Sequence, residues 1–217
     1  MTQLTTKVHL RMWKYSHRYS SPHKEIGDYM EYLIGGFKTN DRTAISPFEL
    51  DIYSPNHKLA IEFNGRYWHS LTINKDTQQQ RVRHRDKFNL CQQKGILLLQ
   101  IDEHEWHNPV TQRVWKSIIA SKLGKHTRIP ARKTTFQPIS SIEANAFLAV
   151  NHLQGVTPAL RWSFGLFYQD ELVGVISYCG HQHTQINLSR LAFKLDTTIV
   201  GGAHKLFKNS LPRTSLR

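Results

Sequence analysis

The sequence predicts an α/β fold in two parts, and three observations carry that expectation. Residues 48–53 alternate apolar and polar side chains, and after a Ser54-Pro55-Asn56-His57 turn residues 59–64 read as a second strand, together a β-hairpin. Residues 96–101 form an apolar run, Ile-Leu-Leu-Leu-Gln-Ile, that suits a central strand covered on both faces. Apolar residues at helical spacing stand before the hairpin and on both sides of that run.

Taken in order, Ser21-Pro22 opens like a helix start, with Ser at the N-cap and Pro at the first position. Ile26, Tyr29, Met30 and Leu33 then recur at helical spacing, and Gly35-Gly36 ends the helix. The hairpin follows, with Phe48, Leu50 and Ile52 on one face and Glu49, Asp51 and Tyr53 on the other. Residues 70–80 are polar and read as a loop. A helix is expected from about 78 to 94, with Val82, Phe88, Leu90 and Cys91 among its apolar positions, stopped by Lys94-Gly95. After the apolar strand, Asn108-Pro109 starts a helix through Leu123 that Gly124 ends. The first part is therefore an α/β domain over 21–124. Residues 1–20 read as a basic arm and 125–135 as a flexible basic connector. The second part, 136–217, reads as a smaller α+β module: a helix at 141–150, strands at 164–168 and 172–178 around Gln169-Asp170-Glu171, a strand at 186–193, and a glycine turn at Gly201-Gly202 leading into a last helix.

Charge narrows the function. The chain of 217 residues has 29 Lys plus Arg against 16 Asp plus Glu, a net +13, and a pI near 9.9. Such a surface attracts polyanions, of which nucleic acid is the commonest. The positive charge is clustered. Residues 1–24 hold Lys7, Arg11, Lys14, Arg18 and Lys24 with no acid. Residues 106–142 hold Arg113, Lys116, Lys122, Lys125, Arg128, Arg132 and Lys133, again with none. Between these basic runs the acids gather at Glu25, Asp28, Glu31, Asp41, Glu49, Asp51 and Glu62. Basic arms can neutralise phosphates while a central group of carboxylates holds a cation. The N-terminus has no apolar stretch of the secretory kind, no window approaches the length of a membrane span, and two cysteines cannot build a disulfide framework. A reducing cytoplasm is the expected compartment.

Asp51 and Glu62 lie on the two strands of the hairpin. Strands about 4.8 Å apart let two carboxylates on one face share a divalent ion. Glu25 on the preceding helix is a candidate for a third oxygen. Gly65-Arg66-Tyr67-Trp68-His69 follows the second strand and can deliver His69 to the end of the acidic pair, where an imidazole can take a proton from the attacking water. Three bland readings stand beside these. Glu49 is more naturally hairpin surface. His84 and Lys87, about one helical turn apart, suit a solvated face. A zinc site from Cys179, His181 and His183 lacks a fourth ligand.

The run Glu49-Leu50-Asp51-Ile52-Tyr53 followed by Leu59-Ala60-Ile61-Glu62-Phe63-Asn64-Gly65-Arg66-Tyr67-Trp68-His69-Ser70 resembles the PD-(D/E)XK nuclease superfamily. Within it, the branch of very short patch repair endonucleases and related phage homing endonucleases is the most similar. His84-Arg85-Asp86-Lys87, Cys91, Gly95-Ile96 and Glu105-Trp106 fit the same proteins, so the resemblance covers about 21–107. It implies a core of mixed sheet with flanking helices that hydrolyses DNA phosphodiesters with Mg²⁺ or Mn²⁺. It also implies roles. Asp51 matches the central metal-binding aspartate, Glu62 the second acid, His69 the proton-transfer histidine, Glu25 a helical glutamate near the site, and Trp68 a residue that stacks on bases. Asn64 departs from the pattern, because the superfamily usually has lysine there, and Lys87 or His84 could replace it. Arg85 or Lys87 could offset charge on the phosphate.

In the second part, Asn151-His152-Leu153-Gln154-Gly155, the 164–178 hairpin, Leu188-Ser189-Arg190-Leu191 and Val200-Gly201-Gly202-Ala203-His204 occur together in the C-terminal halves of some phage homing-type nucleases. The hairpin and glycine-led helix resemble a truncated acetyltransferase fold. The resemblance implies a DNA-contacting module behind a metal-dependent endonuclease of the phage homing type, acting on double-stranded DNA as a monomer or homodimer. Its DNA contacts are expected at Trp68, Arg85, Arg113, Lys116, Lys122, Lys125, Arg128, Arg132 and Lys133. A repair or defence nuclease of the same fold, and a non-catalytic DNA-binding protein, are the alternatives.

Overall fold

A computed structural model describes residues 22–65, 77–180 and 186–210. It has a mixed α/β architecture: helices flank a four-stranded mixed sheet, a four-stranded antiparallel sheet and a two-stranded parallel ribbon. The basic arm 1–20, Trp68, His69, His181 and His183 lie outside the described residues. Among the described residues no helix is long and apolar enough to cross a membrane.

The first helix, α1 (Pro22–Leu33), buries Ile26 and Met30, and Gly35 and Gly36 both turn the chain out of it at positive φ. Strand β1 (Lys38–Asp41) was not expected from the sequence. It pairs antiparallel with β2 (Leu50–Ser54), which pairs antiparallel with β3 (Leu59–Asn64). The hairpin forms at the expected place, with Ile52 opposite Ile61 and Tyr53 opposite Ala60, but Phe48 and Leu50 pack with Ala60 and Cys91 while Ile52 packs with Ile61, so the three do not share one face as expected. Helix α2 (Thr77–Gln93) leads through Gly95 into β4 (Leu97–Asp102), which runs parallel to β3.

The sheet order is β1-β2-β3-β4, so β4 is an end strand and not a central one among the described residues. Its apolar run has another cause, which is cover on both faces. Leu98 packs with Ala60, Cys91 and Ile96 beneath α2. Leu99 and Ile101 join Ile26, Met30, Ile52, Ile61, Trp106, Trp115 and Ile119 on the other side. That second cluster draws on α1, on the short helix α3 (Glu103–His107) and on α4 (Pro109–Lys122). Asn108 caps α4, its side chain accepting from the backbone N–H of Val110 and Thr111. Helix α2 is mostly polar. Its Cys91 is buried, whereas Val82 and Phe88 are exposed.

The stretch expected to be a flexible connector is ordered. Residues Thr127–Pro130 form β5, which pairs in parallel with β10 (Thr197–Val200) from the far end of the chain. A 3₁₀ turn (Ala131–Lys133) follows, and Lys205 Nζ donates to the carbonyls of Ala131 and Thr134. Next come β6 (Thr135–Pro138), α5 (Ser141–Asn151), β7 (Trp162–Tyr168), β8 (Glu171–Cys179) and β9 (Asn187–Phe193), in the antiparallel order β6-β7-β8-β9. One face of this sheet packs on α5 through Ala144, Leu148, Val175 and Ala192. The other buries Leu166, Ile176 and Leu206, the last from α6 (Gly202–Ser210). Gly202 opens α6 where a side chain would collide. A Cβ there would lie 2.7 Å from the Phe193 ring and 2.8 Å from Ile199.

Cross-links tie the two parts together. Asp196 N donates to Ser117 Oγ, and the two ring nitrogens of His126 lie at 3.2 Å from Ser117 Oγ and from Thr198 Oγ1.

Candidate functional site

The described ladder of the β2–β3 hairpin runs from Ser54–Leu59 to Ile52–Ile61, and Asp51 and Glu62 come next in that register. Beyond it the two carboxylates take over. Glu62 Oε1 accepts from the backbone N–H of Asp51 at 3.2 Å, and Asp51 Oδ2 accepts from that of Phe63 at 3.0 Å. Each acid is thereby clasped to the opposite strand. Strand alternation puts Glu62 on the Ala60 face, the one α2 covers.

Lys87 reaches down from α2 and forms an ion pair with Glu62 Oε2. The two side chains are only 14% and 13% exposed. Cys91, one turn further along α2, is fully buried below them, so the pair rests on an apolar floor. Burial is the largest influence on Glu62 and raises its pKa; the negative charge of Asp51 raises it further, and the hydrogen bond and charge of Lys87 pull it back. Burial likewise pushes the Cys91 thiol up. The cation beside Glu62 is therefore Lys87, from the helix that follows the hairpin. Asn64 itself donates from Nδ2 to Asp102 Oδ1 at 3.2 Å, across the parallel β3–β4 pair.

Glu25 is placed elsewhere. Its Oε2 accepts from Trp106 Nε1 at 3.0 Å and from Gln112 Nε2 at 3.2 Å. Helix α1 packs on the Ile52 and Ile61 face, and through these two bonds Glu25 braces it against α3 and α4. The nearer contact from α1 is His23, whose Nε2 lies 3.3 Å from the Asp51 carbonyl. Among the described residues no three His, Cys, Asp or Glu side chains converge as a metal-holding group; Asp51 and Glu62 are a pair. His57 makes a local contact in the turn, Nδ1 to Ser54 Oγ at 3.0 Å.

No family model and no curated protein matches the chain.

The expected DNA-facing cations divide by exposure. Arg113, Lys122, Lys125, Arg128, Arg132 and Lys133 are exposed, as are Arg85 and His84 on α2. Lys116 is half-buried, with its Nζ at 5.8 Å from the Tyr29 ring centroid and 5.7 Å from that of Trp106. It is a packed cation held over two rings. Sequence reasoning missed the brace on Glu25 and the Asn64–Asp102 bond. Both join residues far apart in the chain, and neither leaves a local signal.

Proposed function

We propose that this chain is a metal-dependent DNA endonuclease of the PD-(D/E)XK type, acting on double-stranded DNA. One observation carries the reading. Asp51 and Glu62 meet across an antiparallel hairpin, and Lys87 supplies from α2 the cation that the motif lacks at Asn64. That a lysine seeks out the second acid of the pair supports a working constellation over two solvated charges.

The donor set fits a hard divalent ion. Two carboxylates stand on adjacent strands, each oriented by a backbone N–H, and burial together with Asp51 makes ionised Glu62 costly unless a positive charge is near. Asp51 and Glu62 would hold Mg²⁺ or Mn²⁺. The chemistry such an ion supplies when bound is charge on a phosphate oxygen and a more acidic water. Lys87 orients Glu62 and offsets charge growing on the phosphate. His69 moves a proton to or from the attacking water or the leaving oxygen. The exposed cations from Arg113 to Lys133 hold the duplex by its phosphates and set register without reading sequence. Incubation of plasmid with the protein and Mg²⁺, with and without EDTA, tests the reading. EDTA-sensitive conversion to nicked or linear DNA is expected, and intact supercoiled plasmid in both lanes would reject the enzyme.

A further inference from the structure

The second sheet carries a polar row that the nuclease reading leaves unused. Ser163 on β7 pairs with Ser177 on β8, and Ser177 pairs with Arg190 on β9. Residues directly opposite in an antiparallel sheet share a face, so the three side chains stand side by side across three strands. Val175 and Ala192, two residues along, pack on α5, which places the row on the α5 face.

Ser163 is 6% exposed and Ser177 0%. Their hydroxyls and Arg190 Nε are buried without a hydrogen-bond partner. Folded interiors hold few such groups, because each lost its hydrogen bonds to water on burial. Here three fall in one cross-strand row. The Arg190 guanidinium is anchored, with Nη1 donating to Ser189 O at 2.8 Å.

His152 stands at the end of α5, within reach of the Arg190 charge. Its Nδ1 accepts from the Gln154 N–H at 3.1 Å, which assigns the ring proton to Nε2. Burial, and then the positive charge of Arg190, hold its pKa below the usual imidazole range, so the ring is a neutral donor. Two hydroxyls and a guanidinium thus stand in one cross-strand row that holds no acid. Arg190 is half-buried on β9, the end strand of its sheet among the described residues, so its guanidinium is the member of the row nearest solvent.

We propose that Ser163, Ser177 and Arg190 form a phosphate-binding site on the second sheet, separate from the acidic pair. A tetrahedral anion with several acceptor oxygens answers a planar guanidinium flanked by hydroxyls. The phosphate belongs either to a DNA backbone or to a small phosphate ester, and the site does not depend on the nuclease reading.

The test uses the full chain, inorganic pyrophosphate and a random-sequence duplex as probes, and the variants Ser177→Ala and Arg190→Lys. Calorimetry reads pyrophosphate affinity, fluorescence anisotropy reads duplex affinity, and a thermal melt reads the ligand-free protein. Both variants should weaken binding about tenfold or more, the loss of a hydrogen bond to a charged group. Ser177→Ala should leave the ligand-free melting temperature unchanged or raise it, since it removes an unpaired buried hydroxyl. A loss confined to pyrophosphate identifies a small phosphate ester, and a loss with the duplex identifies the DNA backbone. The proposal is overturned if wild type binds neither probe, if both variants bind as wild type does, or if Ser177→Ala alone lowers the melting temperature. Plasmid cleavage is read separately, so failure here leaves the endonuclease reading standing.

Discussion

Replacing Lys87 by methionine keeps most of the aliphatic stem and deletes the charge that faces Glu62. A hydrogen bond to a charged group contributes about 1.5–3 kcal/mol, and breaking a fully buried ion pair costs about 3–5 kcal/mol. The side chains of Lys87 and Glu62 keep 14% and 13% of their exposure, and Glu62 can escape by taking up a proton. Those two facts place the expected loss at the lower end, about 1.5–3 kcal/mol near pH 8. The sign with pH follows from Glu62, whose folded-state pKa is raised. A carboxyl that binds its proton more tightly when folded loses stability as pH rises through its folded pKa. Deleting Lys87 removes the one influence on that side chain that comes from a cation, so the folded pKa climbs further. The deficit of Lys87→Met should therefore shrink as pH falls toward the ordinary carboxylate range. Urea denaturation in EDTA at about pH 8 and about pH 5, in a double-mutant cycle with Glu62→Gln, measures it. An equal deficit at both pH values, or additive single mutants, would refute the pairing and with it the role of Lys87.

His69→Ala should slow Mg²⁺-dependent cleavage by about 10²–10⁴-fold, whereas His57→Ala, whose ring is engaged with Ser54 in the turn, should cost far less; equal small losses in a plasmid assay would remove His69 from the chemistry. Neutralising Arg128, Arg132 and Lys133 together should weaken cognate and random duplex alike and flatten the log–log salt dependence by about 0.9 for each phosphate no longer neutralised; a titration at several salt concentrations that shows an unchanged slope would reject their phosphate role. Lys116→Met should leave that slope alone and lower stability by about 0.5–1 kcal/mol in urea melts, because its charge sits over Tyr29 and Trp106.

The hairpin was legible because period-2 alternation and a turn signal agree over 48–64, and the same pattern places Asp51 and Glu62 together. The pairing of Lys87 with Glu62 joins a helix to a strand twenty-five residues away, and no local pattern announces it. Four strands were not legible. β1, β5, β6 and β10 are four residues each, too short to show a period. β5 finds its partner in Thr197–Val200, about seventy residues on, so nothing local marks it. The 125–135 stretch, charged and containing proline, therefore reads as a tether although pairing orders it. The end position of β4 was hidden because helices cover both its faces and give an edge strand the composition of a central one. Glu25 misleads for a related reason. Its carboxylate bonds to Trp106 and Gln112 come from residues about eighty positions away, and only packing decides which face of the sheet α1 covers.

The clasped pair of acids on β2 and β3 is where DNA is proposed to be cut. Asp51→Asn tests this most directly, with plasmid cleavage in Mg²⁺ and duplex affinity in EDTA measured on the same preparation. The substitution keeps the shape of the side chain and removes its charge. Cleavage should be abolished while duplex affinity is largely retained. Cleavage at the wild-type rate would contradict the assignment.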